Sequence, residues 1–128
     1  MTAGTDLTAL NTLQLHATAQ HLITVASSNQ LQAEIASLDG GTVPYVLGGG
    51  SNVILCDHLP GTTLLMAIKG REVLSDDGTQ VAIRVGAGES WHDFVVWCHH
   101  QGFHGLANLA LIPGSVGGAP IQNIGAYG

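Results

Sequence analysis

The stretch Val46–Asp57 reads VLGGGSNVILCD, and its three consecutive glycines separate two apolar runs. A glycine inside a regular element costs about 0.5–1 kcal/mol relative to alanine, because its backbone loses more conformational freedom on folding. The run therefore indicates a loop whose backbone is left-handed or closely approaches another group. We predict strands at VPYVL (43–47) and VILC (53–56), with the glycine loop between them.

The glycine loop does not fit the two common phosphate-binding motifs. A Walker A loop requires Gly-Lys-Ser/Thr before a helix, and a dinucleotide fingerprint requires G-x-G-x-x-G opening a helix. Here the loop contains no lysine, and Val53 stands where the third glycine would be. A third interpretation is that consecutive N–H groups of residues 48–52 form an anion-binding nest, which could hold a pyrophosphate without a basic side chain. A plain tight turn explains the three glycines equally well.

A second glycine-rich segment, IPGSVGGAPIQN (112–123), carries almost no bulky side chains over residues 114–119. A flat aromatic ligand could lie against such bare backbone, with Gln122 and Asn123 bonding its polar edge. Close packing of a helix on a sheet also selects glycine and alanine, so both interpretations stay open for this segment.

The first part of the chain has the pattern of a small parallel βαβ unit. HLITVA (21–26) reads as a strand, and Ser27 with Gln30 forms a capping box. The helix that follows should end at Gly40-Gly41, before the strand at 43–47. We expect residues 1–10 to be frayed.

The pattern of the chain changes after this first unit. We predict a strand at 61–68 and a hairpin from 71–75 and 79–88, which turns at Asp77-Gly78. Ser90 is the predicted N-cap of a helix that ends at Gly102, with Asp93 in its first turn.

Composition excludes several function classes. Apolar residues make up 45% of the 128-residue chain, which is enough for a packed core, and charged residues only 9%. The formal net charge is −6 with three basic residues, so we expect no nucleic-acid partner and no binding to an anionic membrane. The two cysteines are expected to be reduced thiols in a cytoplasmic protein. The seven histidines lack the spacing and companion ligands of a zinc site, so no metal is expected.

Three motifs together resemble one family. VLGGGSNV (46–53), VGAGESWH (85–92) and GLANLALIPGSVGGAPIQNIGAYG (105–128) are similar to the UDP-N-acetylenolpyruvoylglucosamine reductase (UDP-N-acetylmuramate dehydrogenase) family. The resemblance runs from about Asn11 to Gly128. The sequence departs from the usual family pattern at two places: Leu13-Gln14, in the N-terminal entry loop, and Ala107, where a glutamate is frequent.

The resemblance implies an FAD-binding domain of the vanillyl-alcohol-oxidase (PCMH) type. Its small α/β subdomain would span 11–58, and a mainly antiparallel α+β subdomain would span 59–128 and continue beyond the sequence. An apolar edge left there would favour self-association. The cofactor-binding residues implied are Leu47, Gly48, Gly49, Gly50, Ser51, Asn52, Val53, Ile112, Pro113, Gly114, Ser115, Gly117, Gly118, Ala119, Gln122, Asn123, Gly125, Ala126 and Tyr127.

The activity implied belongs to a longer protein. In this family NADPH reduces FAD, and the flavin then reduces the enolpyruvyl group of a nucleotide-sugar substrate during peptidoglycan biosynthesis. The catalytic serine, its partner glutamate and the substrate-binding residues of the family lie after the GAYG motif, so we assign no catalytic residue to this chain. Two alternatives remain: a non-catalytic module that binds flavin or a partner, and a different flavin oxidoreductase of the same superfamily.

Overall fold

Two separate β-sheets organise the chain in the computed structural model, which describes residues 4–126. A four-stranded sheet forms from the first half of the chain, and a two-stranded sheet follows it. The strands are β1 (Thr5–Asp6), β2 (Thr18–Val25), β3 (Tyr45–Leu47), β4 (His58–Met66), β5 (Arg71–Asp76) and β6 (Val81–Val85). The helices are α1 (Ser28–Ser37) and α2 (Trp91–His100), with short 3-10 helices at Thr8–Leu10 and Ala107–Leu109.

The first sheet is mostly parallel and has the order β1-β2-β4-β3. β4 pairs parallel with both β2 and β3, so it lies between the two strands that α1 connects. The first sheet therefore continues to Met66, past the limit at residue 58 that the resemblance implied. The mixed α+β character of the prediction is confirmed.

The predicted strand at 53–56 is wrong. Residues 53–57 form no strand, and Ile54 is 85% exposed. The physical reason is the direction of the neighbouring strands: β3 and β4 are parallel, so the chain must return along the sheet between them. Residues 53–57 belong to this return connection.

The prediction of a frayed N-terminus is also wrong for residues 5–10. Thr5–Asp6 pair with Thr18–Ala19, and Leu7 is fully buried against Ala17, Ala19 and Leu59. The Leu7 N–H donates to the Ala17 carbonyl at 2.8 Å. This segment therefore belongs to the core of the first sheet.

The predicted start of α1 is confirmed. The Ser27 hydroxyl accepts a hydrogen bond from the Gln30 N–H at 3.1 Å. The Gln30 side chain reaches the Ala26 N–H at 2.9 Å, one residue before the position that the capping box predicts. No residue of α1 is buried, so this helix packs lightly.

The predicted hairpin and second helix are confirmed. β5 and β6 pair antiparallel, and Gly78 takes a φ of 81° in the turn. Ser90 caps α2 by accepting from the Asp93 N–H at 3.3 Å. The buried face of α2 packs with Ala119 to form a second core, made of Trp91, Phe94, Val95, Cys98 and Ala119. No helix within residues 4–126 has the length and apolarity needed to cross a membrane.

Candidate functional site

The two glycine-rich segments pack against each other through their backbones. A Cβ atom on Gly48 would lie 2.6 Å from the Ser115 hydroxyl oxygen, and one on Gly49 would lie 3.2 Å from the Gly114 Cα atom. A side chain at Gly49 would meet backbone atoms and force the segments apart, whereas one at Gly48 would displace the Ser115 hydroxyl. The loop after β3 is therefore rich in glycine partly because residues 114–115 approach it so closely.

Gly50 is required for a further reason. It has a φ of 65°, in the left-handed region that glycine adopts without strain. A Cβ atom there would also overlap the Leu10 carbonyl oxygen and lie 2.7 Å from the Asn11 Cα atom. The Gly50 carbonyl accepts a hydrogen bond from the Thr12 N–H at 3.0 Å.

The backbone donors of the two segments differ in their availability. Within residues 4–126, the N–H groups of Gly48–Asn52 have no hydrogen-bond partner. In contrast, Val116 N–H donates to the Glu89 carbonyl and Gly117 N–H to the Ala87 carbonyl, both at 2.9 Å. The first segment thus has N–H groups free to bind a ligand. The second segment is instead held in place by its hydrogen bonds to residues 87–89.

Three cavities border the glycine loop. The main cleft, of about 410 Å³, lies between the two glycine segments, and a second cavity, of about 280 Å³, adjoins it. A third, of about 370 Å³, shares Gly48 and Gly49 with the main cleft and is otherwise bordered by residues near the N-terminus. Each smaller cavity shares lining residues with the main cleft, which is lined by Val46, Gly48, Gly49, Gly50, Ser51, Asn52, Val53, Met66, Ala87, Gly114, Ser115, Gly117, Gly118, Ile121 and Gln122.

Among residues 4–126, no basic side chain lines these three cavities. Each of the three basic residues is engaged elsewhere: Lys69 bonds the Gly88 carbonyl, Arg71 pairs with Glu89 at 2.7 Å, and Arg84 pairs with Glu72 at 3.0 Å. An anion in the main cleft would consequently be bound by backbone N–H groups and by the hydroxyl and amide side chains of the loop.

The Arg71–Glu89 ion pair stabilises the residues to which the second glycine segment is hydrogen-bonded. The Gly70 N–H donates to the Glu89 carboxylate at 2.9 Å, and this bond, together with Arg71, lowers the pKa of Glu89. The Glu89 carbonyl in turn holds Val116. The carboxylate therefore remains ionised at neutral pH beside the segment that packs on the glycine loop.

The structure brings together most of the residues that the sequence singled out. Gly48–Val53, Gly114, Ser115, Gly117, Gly118 and Gln122 line the main cleft. Ile112, Pro113, Asn123 and Gly125 line the adjoining cavity with Ser51, Asn52 and Gln122.

Of the predicted residues that the structure describes, three line none of these three cavities. The side chains of Leu47 and Ala119 are buried, at 4% and 3% exposure, and Leu47 lines a fourth, mostly apolar cavity. Ala126 is exposed and lines none of the three cavities. Tyr127 lies outside the described residues.

Sequence reasoning missed one wall of the site. Five residues near the N-terminus line the third cavity, and four further residues line the main cleft. The only available signal was the polar run of Asn11, Thr12 and Gln14, which the expectation of a frayed N-terminus obscured. The missed residues are Ala9, Leu10, Asn11, Thr12, Gln14, Val46, Met66, Ala87 and Ile121.

Residues 4–126 contain no group of three or more histidine, cysteine, aspartate or glutamate side chains arranged to hold a metal ion. His99 and His104 approach each other, with their Nδ1 atoms 3.2 Å apart, at the far end of α2.

The sequence model of a family described as FAD binding domain matches residues 19–128. The chain belongs to this FAD-binding-domain family. The match includes both glycine segments of the main cleft but begins after the N-terminal wall.

Named relatives of this FAD-binding domain are reductases. A UDP-N-acetylenolpyruvoylglucosamine reductase of Alcanivorax borkumensis is 48% identical over 123 residues, which are 96% of this chain and 35% of that protein. Enzymes of the same name from a Psychrobacter species and from Polynucleobacter asymbioticus are 47% and 46% identical, each over all of this chain and over 34% and 37% of their own lengths. The chain thus spans about a third of the length of these curated relatives.

The residues of the main cleft fit a flavin dinucleotide. Open N–H groups suit a pyrophosphate, and the absence of side chains at the glycines leaves space that Cβ atoms would fill. The cleft walls are largely apolar and carry the Gln122 amide at their edge, as a heteroaromatic ring with a polar rim requires.

Proposed function

We propose that this chain is the FAD-binding portion of an NADPH-dependent reductase that converts UDP-N-acetylenolpyruvoylglucosamine to UDP-N-acetylmuramate in peptidoglycan biosynthesis. The observation that carries the proposal is the row of open backbone donors at Gly48–Asn52, on residues that line the main cleft of a chain in a family of FAD-binding domains. The substrate is proposed from the names of the relatives.

In this proposal the glycine loop binds the FAD pyrophosphate through its N–H groups and the Ser51 hydroxyl. Ile112–Ser115 and Gln122–Gly125 border the flavin and its ribityl chain, and Tyr127 would extend that border. When bound, FAD supplies the transfer of hydride from NADPH to the substrate. The residues of this chain orient the cofactor and exclude water from it.

The PCMH-type arrangement remains part of the proposal. The first sheet and its glycine loop would form one subdomain, and β5, β6, α2 and the segment after α2 would begin the second. FAD would lie between them, in the groove where residues 48–52 face residues 114–122. We propose a cytoplasmic location, where NADPH and the nucleotide sugar are available, and no nucleic-acid or membrane partner.

The pyrophosphate site is tested by Asn52→Asp, which adds one negative charge to the exposed end of the loop without changing side-chain size. A unit charge about 4 Å from a phosphate costs about 4 kcal/mol at an effective dielectric constant of 20, and solvent screening reduces this. We expect FAD to bind at least about tenfold more weakly, measured by quenching of flavin fluorescence during titration.

The matched control is Asn29→Asp, which makes the same change in the first turn of α1, where a carboxylate is well tolerated. It should leave the Kd for FAD unchanged. A chain that does not bind FAD at all, with no change of Tm on adding FAD, would overturn the proposed function. Equal FAD affinity in Asn52→Asp and the unaltered chain would overturn the placement of the pyrophosphate.

Substrate-dependent oxidation of NADPH by this chain alone distinguishes a catalytic chain from a module that only binds FAD. We expect the 128-residue chain to bind FAD yet not to oxidise NADPH in response to the enolpyruvyl substrate, because no catalytic residue is assigned to it. Substrate-dependent oxidation of NADPH by this chain would contradict that expectation.

A further inference from the structure

The segment Leu7–Leu15, called the N-terminal clasp below, contacts the glycine loop but lies outside the residues that the FAD-binding family model matches. We propose that the clasp is part of the cofactor site: the FAD pyrophosphate on the glycine loop also contacts Thr12 and Gln14, beside Gly48 and Gly49, which the third cavity shares with the main cleft. In this proposal Asn11 is the positioning residue of the clasp. The inference rests on the proposed function, since it takes FAD as the ligand.

Asn11 gives the clasp a defined conformation. Its side chain is buried, at 4% exposure, and its Nδ2 donates to the Leu7 and Leu15 carbonyls, both at 3.0 Å. Its Oδ1 accepts from the Leu15 N–H at 2.9 Å. One amide thus closes both ends of the segment, and Leu7 anchors it in the core of the first sheet.

The clasp also determines the orientation of the glycine loop. The Thr12 N–H donates to the Gly50 carbonyl at 3.0 Å, and the Leu10 carbonyl occupies the position that a Gly50 Cβ would need. In a trans peptide the C=O and the following N–H point in opposite directions. Because the Gly50 carbonyl faces the clasp, the Ser51 N–H must point away from it, on a residue that lines the main cleft.

The cavity between clasp and loop has the chemistry of an anion site. It holds about 370 Å³ and is lined by Ala9, Leu10, Asn11, Thr12, Gln14, Gly48 and Gly49. Its lining includes Thr12 with its hydroxyl, Gln14 with its amide, and Gly48 and Gly49 with open N–H groups, and the described residues contribute no carboxylate to it. That is notable in a chain with a net charge of −6. Donors without carboxylates favour a phosphate over a cationic or purely apolar group.

Charge substitutions at Gln14 test the proposal. Gln14 is exposed, and its side chain has no hydrogen bond within residues 4–126, so Gln14→Glu and Gln14→Lys should both leave the Tm unchanged. We expect Gln14→Glu to weaken FAD binding about tenfold and Gln14→Lys to tighten it a few-fold. Both effects should shrink as salt is raised, because the charges lie near solvent.

The matched controls are Gln32→Glu and Gln32→Lys, at an exposed position of α1 that lines none of the cavities around the loop. They change the net charge equally and should leave the Kd for FAD unaltered. Equal FAD affinity in Gln14→Glu and Gln14→Lys, in a chain that does bind FAD, would overturn the inference. Absence of FAD binding by the unaltered chain would instead overturn the proposed function.

The positioning role of the clasp is tested by Thr12→Pro, which removes the N–H that holds the Gly50 carbonyl. Asn11 is already extended, with φ −137° and ψ 141°, so it tolerates a following proline. We expect at least about tenfold weaker FAD binding in Thr12→Pro and a smaller loss in Thr12→Val, which keeps the N–H and removes only the hydroxyl. If Thr12→Pro does not fold, the comparison of Gln14→Glu with Gln14→Lys still tests whether the clasp is part of the cofactor site. Equal FAD affinity in the two Thr12 variants would overturn the positioning role.

Discussion

A Cβ atom on Gly49 would lie 3.2 Å from the Cα atom of Gly114 and 3.3 Å from its carbonyl carbon, so the two glycine segments touch through backbone atoms. Both contacted atoms are main chain, and they cannot move aside as a flexible side chain can. The same contact closes one wall of the main cleft. Stability and cofactor binding are therefore coupled at this pair.

Gly49→Ala should destabilise the protein by about 1–2 kcal/mol, because a methyl group would force the segments apart by a few tenths of an ångström. It should also weaken FAD binding by widening the cleft. Urea unfolding and flavin titration measure the two effects. Unchanged values in both experiments would show that the contact is looser than the structure describes.

Gly88→Ala should be more destabilising than Gly49→Ala. A Cβ atom there would lie 2.7 Å from both the Ala67 Cα atom and the Met66 carbonyl oxygen, where β4 ends. We expect a loss of about 3 kcal/mol in the free energy of unfolding. The control is Gly40→Ala: nothing lies within 4 Å of its Cβ, so this variant should gain up to about 1 kcal/mol. Equal free energies of unfolding for Gly88→Ala and Gly40→Ala would contradict the prediction.

Acid should weaken the fold through Glu89. Its pKa is lowered by the Gly70 N–H and by Arg71, so the stabilisation is fully present above the unfolded-state pKa of about 4.3. It is lost as the pH falls through the lower folded-state pKa. Glu89→Gln should lose about 2 kcal/mol at neutral pH and show a smaller decline in stability between neutral and acidic pH, measured by urea unfolding across that range.

The control for Glu89 is the Arg84–Glu72 pair, whose side chains are 70% and 61% exposed. An exposed pair contributes little, so Glu72→Gln should change the free energy of unfolding by less than about 1 kcal/mol. Similar losses in the two variants would mean that the partial burial of Glu89 and its bond from Gly70 have no special effect.

The two cysteines should differ in reactivity. Cys98 lies in the second core at 1% exposure, and burial raises the pKa of its thiol, whereas Cys56 is exposed. A thiol-specific reagent such as DTNB should label one cysteine in the native protein and both after denaturation. Labelling of Cys98 at the native-state rate of Cys56 would indicate that the α2 core opens readily.

The accuracy of the sequence-based predictions follows the range of the interactions involved. The caps at Ser27 and Ser90 and the turn at Gly78 depend on neighbours within four residues, and all three are confirmed. The strand predicted at 53–56 failed because its apolar pattern is local, whereas its conformation is set by the parallel pairing of β3 and β4. The N-terminal wall was missed because Leu7 is buried by residues about ten and fifty positions away.

The sequence by itself determined the positions of the glycine segments, the helix caps, the hairpin and the shortage of basic residues, because each follows from residue type and short-range spacing. Only the tertiary structure decided why three of these glycines are needed: Gly50 makes room for the Leu10 carbonyl, Gly49 for Gly114, and Gly117 for Ala87. It also decided which N–H groups stay open for a ligand. The physical reason is that close backbone approach and hydrogen-bond pairing depend on segments distant in the chain, whose juxtaposition no local pattern records.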